Sequence, residues 1–247
     1  MGKESCLVCV IAETRSHELT YESFEQKVLD ELDADLALCI SDRFTEDDPF
    51  IKKAKYIWTY PEVEDWATAY DEMARIYESR EPWRECLKVK DQFLGGIKDN
   101  GNEHPGSAGI LIFFRWWLLK NLKESGVIDM YDRFIVTRSD YVYACPHPPL
   151  ELLSSDHIWI PDGERYGGVT DRHIVVPKMH LESVLNIADD IIIRPLEFRK
   201  EMQHKSDWNL EQIISNHMVK KKIRDKVAFF PFVMYTVRHP RYTSRDI

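Results

Sequence analysis

The chain lacks an apolar run long enough to cross a lipid bilayer. The longest, from Ala108 to Leu119, contains Arg115 and is shorter than the ~20 residues that a spanning helix needs. Residues Met1–Ser5 also lack the basic region and following apolar stretch that begin a secretory leader. We therefore expect a cytoplasmic protein without a membrane span, in which residues 108–119 form a buried helix.

Positive charge is in short supply as well. The chain has 33 Lys and Arg against 42 Asp and Glu, which gives a formal net charge of −9. This balance argues against a broad surface for nucleic acid or for an anionic membrane. An anionic small ligand needs only a local basic pocket, and the composition remains compatible with one.

The five cysteines give an odd count and do not form a disulfide pattern. Cys6 and Cys9 lie three residues apart in an apolar strand, where such residues point to opposite faces. We interpret them as small core residues rather than as a metal or redox pair. Free thiols are typical of a reducing compartment.

No linker, internal repeat or low-complexity segment divides the 247 residues, so one domain is expected. Leu7 to Ala12 and Asp35 to Ile40 are predicted strands, and Thr20 is predicted to cap the helix between them. This strand–helix–strand opening is typical of a parallel sheet. The expected fold class is α/β, with a Rossmann-like, mostly parallel central sheet flanked by helices.

Further elements are predicted along the rest of the chain. Asp207 is expected to cap a helix whose apolar face includes His217, and Phe229 to Val233 is expected to form a final strand. Three shorter apolar runs are predicted strands, at residues 134–136, 157–160 and 174–176.

Charged residues follow three of the predicted strands where each strand ends. These are Glu13–Arg15, Ser41–Arg43 and Arg138–Asp140. The carboxyl ends of parallel strands form the ligand-binding edge of open α/β sheets, so we expect the three segments to line one cleft. A carboxylate there suits a divalent cation, and a guanidinium suits phosphate oxygens. A plain Arg–Asp surface pair is the alternative.

A second polar cluster lies between two predicted strands, from Pro161 to His173. Gly167 and Gly168 would let the backbone approach a ligand closely or turn through a positive φ angle. Asp171, just before the next strand, is placed to present a carboxylate to that ligand. The alternative is a polar β-hairpin without a functional role.

Several of these motifs, taken in chain order, resemble small GT-A-type glycosyltransferases, enzymes of bacterial polysaccharide loci and of large DNA viruses. The motifs are Glu13–Arg15, Gln92–Gly96, Tyr131–Phe134 with Arg138–Asp140, and Gly167–Arg172. The resemblance covers about the first three quarters of the chain. It implies a single GT-A-like domain over residues 1–247, with a nucleotide-sugar-binding half at 1–145 and an acceptor-side half at 146–247.

The resemblance also implies a nucleotide-sugar donor, a glycan or glycoprotein acceptor, and Mn²⁺ or Mg²⁺ on the diphosphate. Asp140 would hold the metal, in the position of the family's Asp-x-Asp motif, but Arg138 replaces the first carboxylate. Either Asp140 acts with water and phosphate oxygens, or Arg138 takes over part of the charge neutralisation. The residues expected to contact the donor are Glu13, Thr14, Arg15, Asp42, Arg43, Arg138, Gly167, Gly168 and Arg172.

Sugar transfer puts negative charge on the departing phosphate, which a cation or an arginine stabilises. If the anomeric centre inverts, a carboxylate serves as general base; Asp171 is our first candidate and Asp162 our second. If the configuration is retained, Asp171 would hold donor-sugar hydroxyls instead. His217 is interpreted either as a core histidine or as a further metal ligand.

Two other functions remain open at this point. A metal-dependent phosphohydrolase also needs carboxylates at strand ends, but it would show several clustered Asp and His ligands. A non-catalytic sugar-nucleotide-binding module would keep the pocket and Arg15, yet it would have no use for a base beside the acceptor.

Overall fold

The computed structural model describes residues 4–89, 93–99, 104–205 and 207–237. Gln92, the first residue of one of the motifs above, lies outside these ranges. The strands are β1 (Cys6–Ala12), β2 (Asp35–Ser41), β3 (Tyr56–Tyr60), β4 (Arg133–Thr137), β5 (Tyr141–Tyr143), β6 (Ile158–Pro161), β7 (His173–Pro177), β8 (Val227–Phe230) and β9 (Met234–Thr236).

Helices flank the sheet. The α-helices are α1 (His17–Phe24), α2 (Asp30–Leu32), α3 (Pro49–Lys53), α4 (Ala67–Ile76), α5 (Ala108–Glu124), α6 (Lys178–Leu185), α7 (Ala188–Ile192), α8 (Pro195–Met202) and α9 (Leu210–Lys220). A π-helical turn, Glu25–Leu29, joins α1 to α2. Short 3₁₀ turns lie at Trp83–Lys88, Val127–Asp129, Leu150–Leu152 and Arg224–Lys226.

Seven strands form one sheet in the order β3-β2-β1-β4-β7-β6-β8. The pairs among β1 to β4 are parallel, as predicted for the first, second and 134–136 strands, and β7 is antiparallel to both of its neighbours. The chain winds outward from β1 to β3 and then returns to place β4 on the other side of β1. The predicted α/β class, with a mostly parallel sheet flanked by helices in a single domain, is confirmed.

The two faces of the sheet carry separate cores. Along β1, Leu7, Cys9 and Ile11 pack on one face, while Cys6 and Val8 pack on the other. The predicted opposite orientation of Cys6 and Cys9 is therefore confirmed. The α5 helix packs on the first face and is buried over most of its length, as its apolar sequence predicted.

Two helices begin at residues other than those predicted. The first starts one turn before Thr20, after Ser16, and the Thr20 hydroxyl donates to the Ser16 carbonyl from inside the helix. Asn209, not Asp207, caps α9, because its side chain accepts the Gln212 amide hydrogen. Polar residues that could cap a helix occur close together here, and packing decides between them.

Only the first two residues of the predicted final strand, Phe229 and Phe230, lie in a strand, and a further strand that was not predicted, β9, begins after it at Met234. Residues up to Phe230 belong to β8 at the sheet edge, and β9 pairs with β5 in a separate two-stranded sheet. The Val237 amide then donates to the Asp140 carbonyl at 2.9 Å. This contact brings the end of the described chain over the carboxyl end of β4.

Candidate functional site

Two adjoining cavities lie at the carboxyl ends of β1 and β4. The main cavity has a volume of about 220 Å³, and a side cavity has about 40 Å³. They belong to one cleft, since both are lined by Arg15, Ser107, Leu111, Arg138 and Asp140. Strand order reverses between β1 and β4, and such a reversal is where open α/β sheets bind ligands.

The turn after β1 is held against the end of β4. Arg15 forms a bidentate pair with Glu13. The Ser139 hydroxyl lies within hydrogen-bond distance of the main-chain oxygens of Glu13 and Arg15, at 2.9 and 3.1 Å, and its single proton is shared between them. Ala12 and Ser16 flank the turn with φ angles of 74° and 55°, a region that residues with a side chain seldom adopt. Strained backbone of this kind is common at ligand-binding sites.

Arg138 and Asp140 form the same kind of pair after β4. The guanidinium donates to the two carboxylate oxygens over distances of 3.1 and 2.5 Å. Asp140 is only 7% exposed. Because a guanidinium has five N–H donors, Arg138 keeps others for a further ligand.

The opposite wall of the main cavity comes from the segment before β7. Since β7 runs antiparallel to β4, with His173 beside Thr137, residues that precede it arrive at the carboxyl end of β4. Asp171 and Arg172 therefore line the main cavity. Arg172 pairs with Glu164 at 2.7 Å.

Arg115 lies beneath this wall and was not recognised as a site residue from the sequence. It is 1% exposed and donates one hydrogen bond, to the Asp171 carbonyl at 2.8 Å. Its Nε and Nη1 atoms have no hydrogen-bond partner within the described parts of the chain. A buried, partly unsatisfied guanidinium is costly, so its positive charge below the carboxylates calls for a functional explanation. The one signal in the sequence was a charge inside an apolar helix.

Glu211 is the second residue that sequence reasoning missed. It sits in the first turn of α9 and lines the main cavity together with Asp171. Burial, followed by the nearby negative charge of Asp171, raises the pKa of Glu211 to about 7. No motif surrounds it in the sequence, because its neighbour in space is far away in the chain.

The glycine pair approaches a helix instead of a ligand. A Cβ atom on Gly168 would lie 2.0 Å from the Glu211 carbonyl oxygen, and the Val169 amide donates to that oxygen at 3.0 Å. Gly167, with φ at +84°, faces the Gln212 side chain. These glycines allow the loop to pack on α9, and neither of them lines the two cavities.

The structure brings some of the predicted residues into the cleft and leaves others outside. Asp162 is 55% exposed at its side chain and pairs with Arg165. Asp42 and Arg43 are exposed after β2, and Thr14 is buried beside Arg15. None of these lines either cavity, so the end of β2 does not belong to the expected cleft. The ends of β1 and β4 form it together with the segment before β7, the starts of α5 and α9, and the end of β9.

His217 is a core residue. Its Nδ1 lies 3.0 Å from an Asp190 carboxylate oxygen, and its Nε2 lies 2.9 Å from the Ser183 carbonyl and 3.2 Å from the Asn186 side-chain oxygen. Both ring nitrogens thus have partners beside α6 and α7, and His217 does not line the cavities that Asp140 lines. The contacts correspond to the core-histidine interpretation and not to a ligand that joins Asp140.

The donors at the cleft do not fit a metal site built by the protein alone. Within the described ranges, no group of three or more His, Cys, Asp and Glu residues is arranged to hold a metal ion. Asp140 contributes one carboxylate, and Arg138 engages both of its oxygens. Positive charge in the main cavity comes from Arg15, Arg138 and Arg172.

Comparison with models of known protein families gives no match, and comparison with curated proteins gives no significant match either. Among the helices of the described residues, none is long and apolar enough to cross a membrane.

Proposed function

We propose that the protein is a glycosyltransferase that moves a sugar from a nucleotide-diphosphate sugar to a hydroxyl group of a glycan or glycoprotein acceptor. The observation that carries this proposal is the position of Arg15 and Arg138. They follow the two strands at the reversal of strand order, and they line both cavities. Ligands of open α/β sheets bind there, and guanidinium groups hold phosphate oxygens in a bidentate manner.

The three arginines of the main cavity suit the departing group, although three acids, Asp140, Asp171 and Glu211, line the same cavity. Breaking the bond between sugar and diphosphate leaves negative charge on a phosphate oxygen, and preorganised positive groups stabilise the transition state. Arg15 and Arg138 are held in place by their carboxylate partners, and Arg172 is held by Glu164. Little reorganisation is then needed when charge develops.

The side cavity, at about 40 Å³, is too small for a whole nucleoside, but it extends the main cavity with groups that suit the edge of a base or a ribose. Its lining is largely apolar, with the aromatic side chains of Trp66 and Phe114, and it also contains the carboxylates Glu13 and Glu62. Apolar and aromatic groups can contact a base, and carboxylates accept hydrogen bonds from ribose hydroxyls. This combination supports a nucleotide donor.

Metal dependence, which the sequence resemblance implied, stays a prediction. The position of Arg138 in both cavities supports the alternative in which it takes over part of the neutralisation of the diphosphate charge. A phosphohydrolase gains no support, because its clustered carboxylate and histidine ligands are not found within the described residues. A binding module would leave Glu211 and Asp171 without a role.

Thermal unfolding with a panel of UDP-, GDP- and dTDP-sugars, with and without Mn²⁺, tests the proposal. A ligand present at 100 times its Kd adds ~2.7 kcal/mol to the free energy of unfolding. For a domain of this size, the melting temperature should rise by roughly 5–10 °C. We expect one nucleotide class to stand out, and Arg138→Ala to remove most of its effect.

The metal is tested in the same experiment. Any additional stabilisation by Mn²⁺ should vanish in Asp140→Ala, since Asp140 carries the carboxylate between the two cavities. If the affinity for the nucleotide sugar changes neither with Mn²⁺ nor in Asp140→Ala, the protein still binds a nucleotide sugar, but it does so without a metal ion. If no nucleotide sugar shifts the melting temperature under either condition, the glycosyltransferase proposal is wrong.

A further inference from the structure

Two carboxylates, Asp171 and Glu211, line the same side of the main cavity above the buried Arg115. They reach it from the segment before β7 and from the first turn of α9. Within the described residues, neither side chain forms an ion pair. This arrangement differs from that of Glu13 and Asp140, whose carboxylates are both bound to arginines.

Main-chain packing fixes the position of Glu211. The Val169 amide donates to the Glu211 carbonyl, and Gly168 contacts the same peptide group so closely that no side chain fits between them. Because Asp171 is three residues after Gly168, the same contact holds the segment of Asp171 next to the first turn of α9. Glu211 is therefore part of the cavity rather than a mobile surface residue.

The charged groups that face Glu211 act in opposite directions. Burial and the charge of Asp171 favour the protonated acid, while a hydrogen bond from the Glu211 backbone amide and the charges of Arg172 and Arg115 favour the carboxylate. Burial and Asp171 prevail, and the pKa of Glu211 rises to about 7. A carboxyl group with such a pKa exchanges its proton readily at neutral pH.

We infer that Glu211 is the general base of the proposed transfer and that the reaction inverts the anomeric centre. This inference rests on the proposed function. The first candidate for the base from the sequence was Asp171. The inference assigns this role to Glu211 instead, although no sequence motif pointed to Glu211. Asp171 then acts as a positioning residue, through its charge next to Glu211.

The proton and the electron pair are accounted for in a single displacement. The Glu211 carboxylate takes the proton of the acceptor hydroxyl as the acceptor oxygen forms its bond to the anomeric carbon. The bond from that carbon to the diphosphate oxygen breaks, and its electron pair leaves with the nucleoside diphosphate. Glu211 afterwards releases the proton to water.

Exposure favours Glu211 over Asp171 as the group that touches the acceptor. Asp171 is 6% exposed and is tied through its carbonyl to Arg115. Glu211 is partly exposed and has a longer side chain. A general base must come within about 2.6–3.2 Å of the proton-bearing atom, which an acceptor arriving from solvent permits more readily at Glu211.

The first measurement is the release of nucleoside diphosphate from UDP-glucose, GDP-mannose and dTDP-glucose, with water as acceptor. We expect Glu211→Gln to lower kcat by about 10²–10⁴-fold, while thermal shifts show donor affinity within a few-fold of wild type. In the wild type, kcat should rise with pH to a plateau, with an apparent pKa near 7, and Glu211→Gln should lose this dependence. Glu182→Gln, an exposed acid paired with Lys123, is the matched control.

The second measurement is the NMR titration of ¹³C-labelled glutamate carboxyl groups, with the Glu211 signal identified by its loss in Glu211→Gln. A midpoint near 7 that falls in Asp171→Asn supports the inference. Two results would overturn the inference that Glu211 is the general base. One is hydrolysis of bound donor by Glu211→Gln at the wild-type rate, and the other is a Glu211 carboxyl that titrates in the ordinary glutamate range. Absence of any donor binding overturns the proposed function instead, and the titration, which needs no donor, keeps the two failures apart.

Discussion

The two walls of the cleft are built in different ways. On the β1–β4 wall, each acid pairs with an arginine two residues away, Glu13 with Arg15 and Asp140 with Arg138. On the β7–α9 wall, Asp171 and Glu211 come from distant segments and share the buried Arg115 beneath them. The first wall presents the guanidinium groups of Arg15 and Arg138, and the second presents the carboxylates of Asp171 and Glu211 beside the guanidinium of Arg172.

This difference separates two chemical tasks. Local pairing keeps Arg15 and Arg138 in position while leaving them donors for an anionic group. On the second wall, the acids have no ion-pair partner among the described residues, so Glu211 can bind and release a proton near neutral pH. A cleft that binds a diphosphate at one wall and takes a proton at the other needs both arrangements.

The largest effect is expected from Gly168→Ala, which disturbs the packing of the second wall but not that of the first. The added Cβ would lie 2.0 Å from the Glu211 carbonyl oxygen and 2.2 Å from its carbon. Because both atoms belong to the backbone, the loop or α9 must move, and we expect a loss of about 3 kcal/mol or more in the free energy of unfolding. Urea unfolding measures it.

Gly163→Ala is the matched control for this substitution. Its Cβ would meet the ring of Phe232 at 2.9 Å, and a side chain can rotate away more easily than a backbone can. The urea midpoint should therefore fall clearly less than in Gly168→Ala. Equal midpoints in the two variants would show that the close contact between Gly168 and α9 matters no more for stability than the contact between Gly163 and Phe232.

The two walls also differ in how far the sequence predicts them. An apolar run followed by Arg and Asp is a local pattern, and parallel pairing of β1 with β4 brings Arg15 and Arg138 together as expected. Glu211 has no such pattern, since its pKa depends on burial and on Asp171. Gly168 was expected to let the backbone approach a ligand, but the group it approaches is α9, a partner that only tertiary packing defines.

A second prediction concerns the first wall. Arg138→Ala should weaken the binding of UDP about 10–100-fold, because a hydrogen bond to a charged group contributes about 1.5–3 kcal/mol. Isothermal titration calorimetry measures the affinity. Arg43→Ala, at an exposed residue after β2 that lines neither cavity, is the control and should bind as the wild type does. Equal losses of UDP affinity in the two variants would show that the residues after β2 also take part in binding.

A third prediction is that low pH lowers the free energy of unfolding, because two buried histidines lie behind the second wall. His147 and His173 are buried with their Nε2 atoms 3.1 Å apart. Burial lowers the pKa of His147 to about 4, and it holds the pKa of His173 well below its usual range, with the charge of His147 as a further cause. The unfolded chain thus binds more protons, so their contribution to stability is complete above pH 6.5 and is lost as the pH falls towards 4.

Between pH 7 and pH 5 this linkage should lower the free energy of unfolding by about 2 kcal/mol for His147 alone. Urea unfolding at the two pH values measures the change, and His147→Leu provides the comparison. The variant should be less stable at pH 7 but should depend less on pH. A variant with the full pH dependence of the wild type would exclude His147 as the source.

The smallest effect is expected from Asp162→Asn. Asp162 was the second candidate for the base, but its side chain is largely exposed, pairs with Arg165 over 3.1 Å and lines neither cavity. An exposed ion pair contributes about 0–1 kcal/mol, so both the urea midpoint and donor hydrolysis should stay close to wild type. Asp171→Asn is the contrasting variant, since removing its charge should lower the pKa of Glu211 and move the pH profile of kcat to lower pH. A different result would be a large loss of kcat in Asp162→Asn together with an unchanged pH profile in Asp171→Asn. The proton-accepting group would then lie outside the main cavity, and the second wall would not supply the base.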